Sequence, residues 1–193
     1  MPKEKLIQFL QKTGHISLSK AGDIADRFAE KSIPRNEFFL REGRISDEYL
    51  FLEEGCLRAF AHNTDGEEVT TNFCLGGQVA FEVSSFFNRT LSQENIQALT
   101  DCEGWYITYQ QLNSLFHELP EFREFGRQIL VNGFTALKSR MLSMITETAE
   151  ERYIHLLKTN PAIFQWAPLK NIASFLGITD TSLSRIRKEF SKK

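Results

Sequence analysis

Between Glu37 and Thr108 the chain changes character every few residues, and this run constrains the fold more than any other part of the sequence. FFL, EYLFLEE, CLRAFAH, EEVTTNF, GGQVAF, NIQALT and EGWYITY are short and rich in Phe, Tyr, Val and Ile, residues that fit a pleated, half-buried surface. Turn formers separate them: Arg41-Glu42-Gly43, Glu54-Gly55, Asp65-Gly66 and Gly76-Gly77. Asp-Gly between two such segments predicts a hairpin, because both residues tolerate positive φ. Seven or eight strands in about 70 residues leave no room for the crossover helices that a parallel sheet requires. The expected product is an antiparallel barrel or a double-sheet jelly roll. Seventeen phenylalanines supply it with a substantial aromatic core.

Helical periods flank this run. Lys3 to Gln11 places Leu6, Phe9 and Leu10 on one side, and Ser19 to Lys31 does the same with Ile24, Ala25 and Phe28 before Ser-Ile-Pro ends it. Thr108-x-x-Gln111 has the spacing of a capping box and predicts a short helix running to Pro120. From Glu121 to about Glu150 a long helix is expected, with no internal proline. Leu130, Phe134, Leu137, Met141, Met144 and Thr148 fall at spacings of 4, 3, 4, 3 and 4, a heptad-compatible seam. Phe122, Phe125, Ile129 and Ala136 occupy a different face. Two apolar faces suit a helix that packs on its own domain and on a second subunit, unless both stripes are buried within one chain. Asn132-Gly133 is a point where this helix is expected to weaken or bend. A further helix is expected from Glu151 to Lys158.

Charge is distributed unevenly. Residues 1–150 carry 15 Lys+Arg against 22 Asp+Glu, whereas residues 151–193 carry 8 against 3. A basic end on an acidic body is the footprint of a polyanion partner. That end closes with LKNIASFLGITDTSLSRIRKEFSKK. A first helix from about Lys170 to Leu176 presents Ile172, Ala173 and Leu176, and Gly177 follows where the chain leaves it. Thr179 is placed to cap a second helix from Asp180 to about Ser191 that buries Leu183, Ile186 and Phe190. Two short helices across a tight turn, with a small Ala173 at the crossing, form a helix-turn-helix whose second helix is free to enter a major groove. Arg185 is the expected reader, since a guanidinium matches guanine or phosphate bidentately. Thr179, Thr181 and Ser182 lie near the helix N-terminus and Arg187, Lys188 and Lys192 further along, where backbone contacts are expected.

Taken together, these segments resemble the bacterial Crp/Fnr transcriptional regulators over nearly all of the chain. The resemblance implies an α+β architecture: an N-terminal double-stranded β-helix (jelly roll) of cyclic-nucleotide-binding type flanked by short helices over 1–118, a long dimerisation helix over 119–150, and a C-terminal winged helix-turn-helix over 151–193. IASFLGITDTSLSRIRK resembles the family's recognition segment, with Arg185 at a DNA-reading arginine, while the neighbouring readers fall on Asp180 and Thr181 and depart. The wing-like hairpin is shortened to NPAIFQWAP. By the same resemblance, Glu82 in FEVSSFF matches a glutamate that takes a ribose hydroxyl, and the arginine and hydroxyl that hold a cyclic phosphate fall on Ser92 and Gln93. Pro120 matches a family proline, and two helix hydroxyls near the nucleotide base fall on Leu137 and Lys138. A buried phosphate needs a cation, and Arg89 reaches that place only if the loop is re-registered. Cyclic AMP is therefore not the expected effector, and an unidentified small molecule, or none, takes its place.

The implied partners are double-stranded DNA, a second copy of the chain through Leu130, Phe134, Leu137, Met141 and Met144, and RNA polymerase. Enzymes are the opposing class. Of His15, His62, His117 and His155 only His62 lies in the strand region, too few for a cupin-type metal site, and no HExxH motif or phosphate-cradling glycine loop occurs. Cys56, Cys74 and Cys102 fit no zinc or cluster spacing and suit small buried hydrophobes in a reducing cytoplasm. No metal, cofactor, transmembrane segment or secretory leader is expected. The remaining alternative is an effector-binding or protein-interaction module with no role on DNA.

Overall fold

The computed structural model of the chain describes residues 2–190. Strands β1 (Ala29–Ile33), β2 (Phe38–Leu40), β3 (Glu48–Glu54), β4 (Cys56–His62), β5 (Glu68–Leu75), β6 (Gln78–Ala80), β7 (Asn95–Ala98) and β8 (Cys102–Thr108) form two antiparallel sheets, ordered β1-β8-β3-β6 and β2-β7-β4-β5. This is the strand order of a double-stranded β-helix. Asp65-Gly66 closes the β4–β5 hairpin, where the Asn63 side-chain oxygen accepts from the amides of Asp65 and Glu67 at 3.0 and 2.8 Å.

Strand β3 explains why its segment lacks a polar alternate. Leu50 and Leu52 point between the sheets, where they meet Leu40, Leu57, Ile96 and Ala98. Tyr49 and Phe51 point the other way and are buried as well, because helices cover that face. The cover consists of α1 (Glu4–Gln11), α2 (Leu18–Ala25), α4 (Tyr109–Glu118) and the first turns of α5 (Pro120–Thr146). Leu6, Leu10, Ile24, Leu115, Phe122 and Phe125 pack there around Phe51 and Trp105, with the Phe9 and Phe125 rings edge to face at 5.4 Å. The predicted capping box at Thr108 and Gln111 starts α4, and Pro120 starts α5 at a position where its missing N–H costs nothing.

Several boundaries differ from the sequence expectation. Helix α2 stops at Ala25 instead of running to Lys31, and residues 29–33 form β1 against β8. Only Ile33 of that strand is buried, so neither period shows in the sequence, and the ladder to β8 decides the conformation. The FEVSSFF segment contains a short helix, α3 (Val83–Asn88). Helix α5 runs through Asn132-Gly133 unbroken and ends at Thr146. Thr148 is not a member of the seam. Its hydroxyl caps α6 (Ala149–Thr159) in a capping box with Glu151, so the chain turns there. In place of a shortened wing hairpin, NPAIFQWAP holds a four-residue helix, α7 (Ile163–Trp166), and no strand follows Thr108 among the described residues.

The C-terminal unit adds α8 (Leu169–Phe175) and α9 (Asp180–Phe190). Its core of Tyr153, Leu156, Ile163, Ile172, Ala173, Leu183 and Ile186 is continuous with Cys56 and Phe73 on the outer face of the second sheet. Strand β5 is the edge of that sheet, and a register shift opposite Ala59 and Phe60 leaves Thr71 as an extra, unpaired residue.

Candidate functional site

The turn between α8 and α9 satisfies its own backbone group by group. Gly177 sits at φ +68, and the Ile178 and Gly177 amides donate to the carbonyls of Ala173 and Ser174, both at 3.0 Å, the pattern of a Schellman cap. Two carbonyls remain. Phe175 O accepts from Arg140 Nη2 at 3.1 Å, and Leu176 O accepts from Arg152 Nε and Nη2 at 3.1 and 3.0 Å. Beyond the turn, the Thr179 hydroxyl accepts from the Ser182 amide at 3.2 Å and caps α9.

Helix α9 buries Leu183 and Ile186 against Ile172 and the fully buried Ala173. Phe190 stays partly exposed and meets the Tyr153 ring edge to face at 5.9 Å, so it is not the core residue the sequence suggests. Thr181, Arg185 and Lys188 are exposed and share one face through spacings of 4 and 3. Arg187 is exposed as well. Ser182 is half-buried, its hydroxyl 3.0 Å from that of Thr179, so these two are tied to each other. Lys192 lies outside the described residues.

On α5 the two stripes part company over the first turns only, since Ile129 is half-buried and Ala136 is exposed. Phe122 and Phe125 are each 2% exposed, whereas Phe134 is 69% and Leu137 64% exposed, with Leu130, Met141 and Met144 also open to solvent. A contiguous apolar face of this kind on one helix marks an interaction surface.

The structure disperses the expected effector pocket. The Glu82 carboxylate caps α3, accepting from the amides of Ser84 at 3.0 Å and Ser85 at 2.6 Å. Ser92 is buried, and its hydroxyl serves its own loop, donating to Glu94 O at 2.8 Å and accepting from the Glu94 amide at 3.1 Å. Gln93 is exposed. Arg89 does not supply a cation to Ser92: it pairs with Asp47, donates to Ser46 O at 3.1 Å and lies 4.2 Å over the Tyr109 ring. Its αL backbone at the end of α3 aims it there. Leu137 and Lys138 are both exposed, and Arg140 is the α5 side chain that reaches β5 instead.

Two residues absent from the sequence argument thus shape this region. Burial raises the Glu94 carboxyl above its ordinary value and Glu82 raises it further, while the Thr71 side chain and, to a smaller extent, Arg140 act in the opposite sense. Burial lowers the Arg140 guanidinium, and Glu94 offsets part of that. Neither carries a sequence mark: Glu94 follows a polar loop, and Arg140 stands among exposed α5 residues. The three cysteines are free and buried, and burial pushes the Cys56 thiol up to about 12, far from a reactive thiolate. Among the described residues no group of three or more His, Cys, Asp or Glu could hold a metal ion, and no helix is long and apolar enough to cross a membrane.

A β-roll, a 27-residue helix with an open apolar face and a helix-turn-helix, in that order, define the architectural class of the chain. Residues 30–118 match the family model of the cyclic nucleotide-binding domain. The transcriptional activator protein Anr of Pseudomonas protegens is 23% identical over 184 residues, covering 88% of this chain and 74% of Anr. FixK2 from Bradyrhizobium japonicum has the same fold, with a TM-score of 0.71 and 18% identity over 86% of this chain and 85% of its own. The c-di-GMP responsive global regulator CLP of Xanthomonas campestris gives 0.70 and 15% over 93% and 92%. Residues 30–118, which make up most of the roll, thus match a cyclic nucleotide-binding domain, and over most of its length the chain is similar to regulators of the Crp/Fnr type.

Proposed function

We propose that this chain is a sequence-specific, DNA-binding transcriptional regulator that acts as a homodimer on an inverted repeat, with an effector region altered away from cyclic nucleotides. One observation carries the reading: Thr181, Arg185 and Lys188 share an exposed face of a helix-turn-helix, in the basic segment of an otherwise acidic chain. Cations there offset phosphate charge, and Arg185 is shaped to read a guanine edge. The open face of α5 is the seam for a second copy, and two-fold symmetry then sets two reading helices about 34 Å apart, one turn of DNA. The fold is not tied to one effector, since CLP, which shares it, is a c-di-GMP responsive regulator. The role is regulatory and not catalytic, and action in the cytoplasm through RNA polymerase belongs to the same reading.

Binding to duplex DNA over a salt series is the test. Affinity falls steeply as salt rises, and Arg185→Ala costs about 1–3 kcal/mol on a selected operator while relaxing discrimination at one base pair. Equal losses on operator and random DNA make Arg185 a phosphate contact. No salt-dependent binding to any duplex sinks the regulator reading and leaves an effector-binding module without a role on DNA.

A further inference from the structure

We propose that Arg140 is a positioning residue: it holds the turn of the helix-turn-helix and the bulge of β5 at the same time, and so sets the orientation of α9 with no effector bound. The proposal rests on the DNA-reading role of α9 and goes beyond it by naming what fixes that helix.

The bulge leaves Thr71 without a partner in the β4 ladder, and its carbonyl accepts from Arg140 Nη1. The other arm of the same guanidinium, Nη2, donates to Phe175 O, one of the two carbonyls that the cap of α8 leaves open. Its plane lies 4.1 Å over the Phe175 ring. One rigid fork therefore spans the roll and the turn, which a lysine, a single point charge, cannot do. Around it the edge of β5 is closed by α8: the Ser174 hydroxyl accepts from the Thr70 amide at 2.9 Å, and the Phe73 and Phe175 rings lie 5.3 Å apart. Residues 131–139 of α5 and the two after Arg140 are all exposed, and Arg140 between them turns inward. Glu94 lies near enough to offset part of the cost of burying the guanidinium. Without Arg140 two half-buried carbonyls lose their donor.

Docked in this way, α9 keeps Thr181, Arg185 and Lys188 open to solvent, so the latch preorganises the reader and does not mask it. Arg152 grips the adjacent carbonyl but makes no hydrogen bond to β5. It is the internal control.

Amide hydrogen exchange on the full chain without DNA reads the latch directly. Arg140→Ala speeds exchange in residues 68–75 and 174–178 and leaves β3 unchanged, whereas Arg152→Ala loosens 174–178 and leaves 68–75 unchanged. Arg140→Lys restores protection in no more than one of the two segments. On a duplex selected by the wild-type chain from a randomised inverted-repeat pool, Arg140→Ala lowers affinity about tenfold, as expected if about one molecule in ten keeps the competent orientation. The salt slope stays the same, because no phosphate contact is lost. Unchanged exchange in either segment, faster exchange throughout the roll, or equal or tighter DNA binding by Arg140→Ala overturns the proposal. A wild-type chain that binds no duplex defeats the regulator reading alone, and the exchange result then decides whether Arg140 holds both segments.

Discussion

Glu94 lies between two charges of opposite sign, Glu82 and Arg140, and the balance falls against its ionised form because burial outweighs the Thr71 side chain and the arginine's attraction together. A carboxyl with a raised folded value contributes stability that is complete below the ordinary glutamate range, about 4.3, and is lost as pH rises through the folded value. Glu94→Gln keeps the shape and removes the titration. Thermal unfolding should therefore show the variant more stable than wild type at pH 7.5, with the gap closing at pH 4. A variant less stable at neutral pH would mean that the Thr71 side chain and Arg140 together outweigh desolvation. Residues of this kind were the least legible in the sequence. Arg89 is the arginine nearest in sequence to the expected phosphate position, yet a left-handed residue at the end of α3 sends its side chain to Asp47. Arg140 lies 48 positions beyond Ser92 and reaches β5 only because α5 passes beside the edge strand.

At the scale of elements, periodicity made most of the architecture readable. The strand run gave the roll, and the spacing of Leu130 to Met144 on α5 separated an open stripe from the buried Phe122 and Phe125. What escaped were positions where a local signal has two meanings. Thr148 continues the heptad and also opens a capping box with Glu151, and the cap wins because it satisfies amides that a turn exposes. The edge strand β1 has one buried residue and so no period to detect. The α5 stripe yields a prediction at this level. Leu137→Glu or Met141→Glu places a carboxylate in the seam but touches no core of its own chain, so folding stability should change by no more than about 0.5 kcal/mol. The dimer dissociation constant should rise by at least about 100-fold, some 2.7 kcal/mol. In sedimentation equilibrium at micromolar concentration, wild type should run at twice 22.3 kDa and the variants at 22.3 kDa. Wild type persisting at 22.3 kDa removes the homodimer.

For the molecule as a whole, the question is what sets the proportion of reading-competent chains. A ligand shifts such an equilibrium only through unequal affinity for its two states. Cyclic AMP brings a phosphate, and the roll offers it Glu82 and Glu94, while the guanidinium facing β5 is already engaged by Thr71 and Phe175. To bind at this place the nucleotide must either bury its phosphate without a cation or pull Arg140 from two carbonyls, and both options cost more than a neutral contact returns. Calorimetric titration with cyclic AMP or cyclic GMP up to about 1 mM should accordingly give no saturable heat, and neither should raise the unfolding temperature. The DNA affinity of the wild-type chain should be equally indifferent to both. Micromolar binding that disappears in Glu82→Ala, with a matching change in DNA affinity, would show that the roll senses the nucleotide and that Arg140 gives way to it.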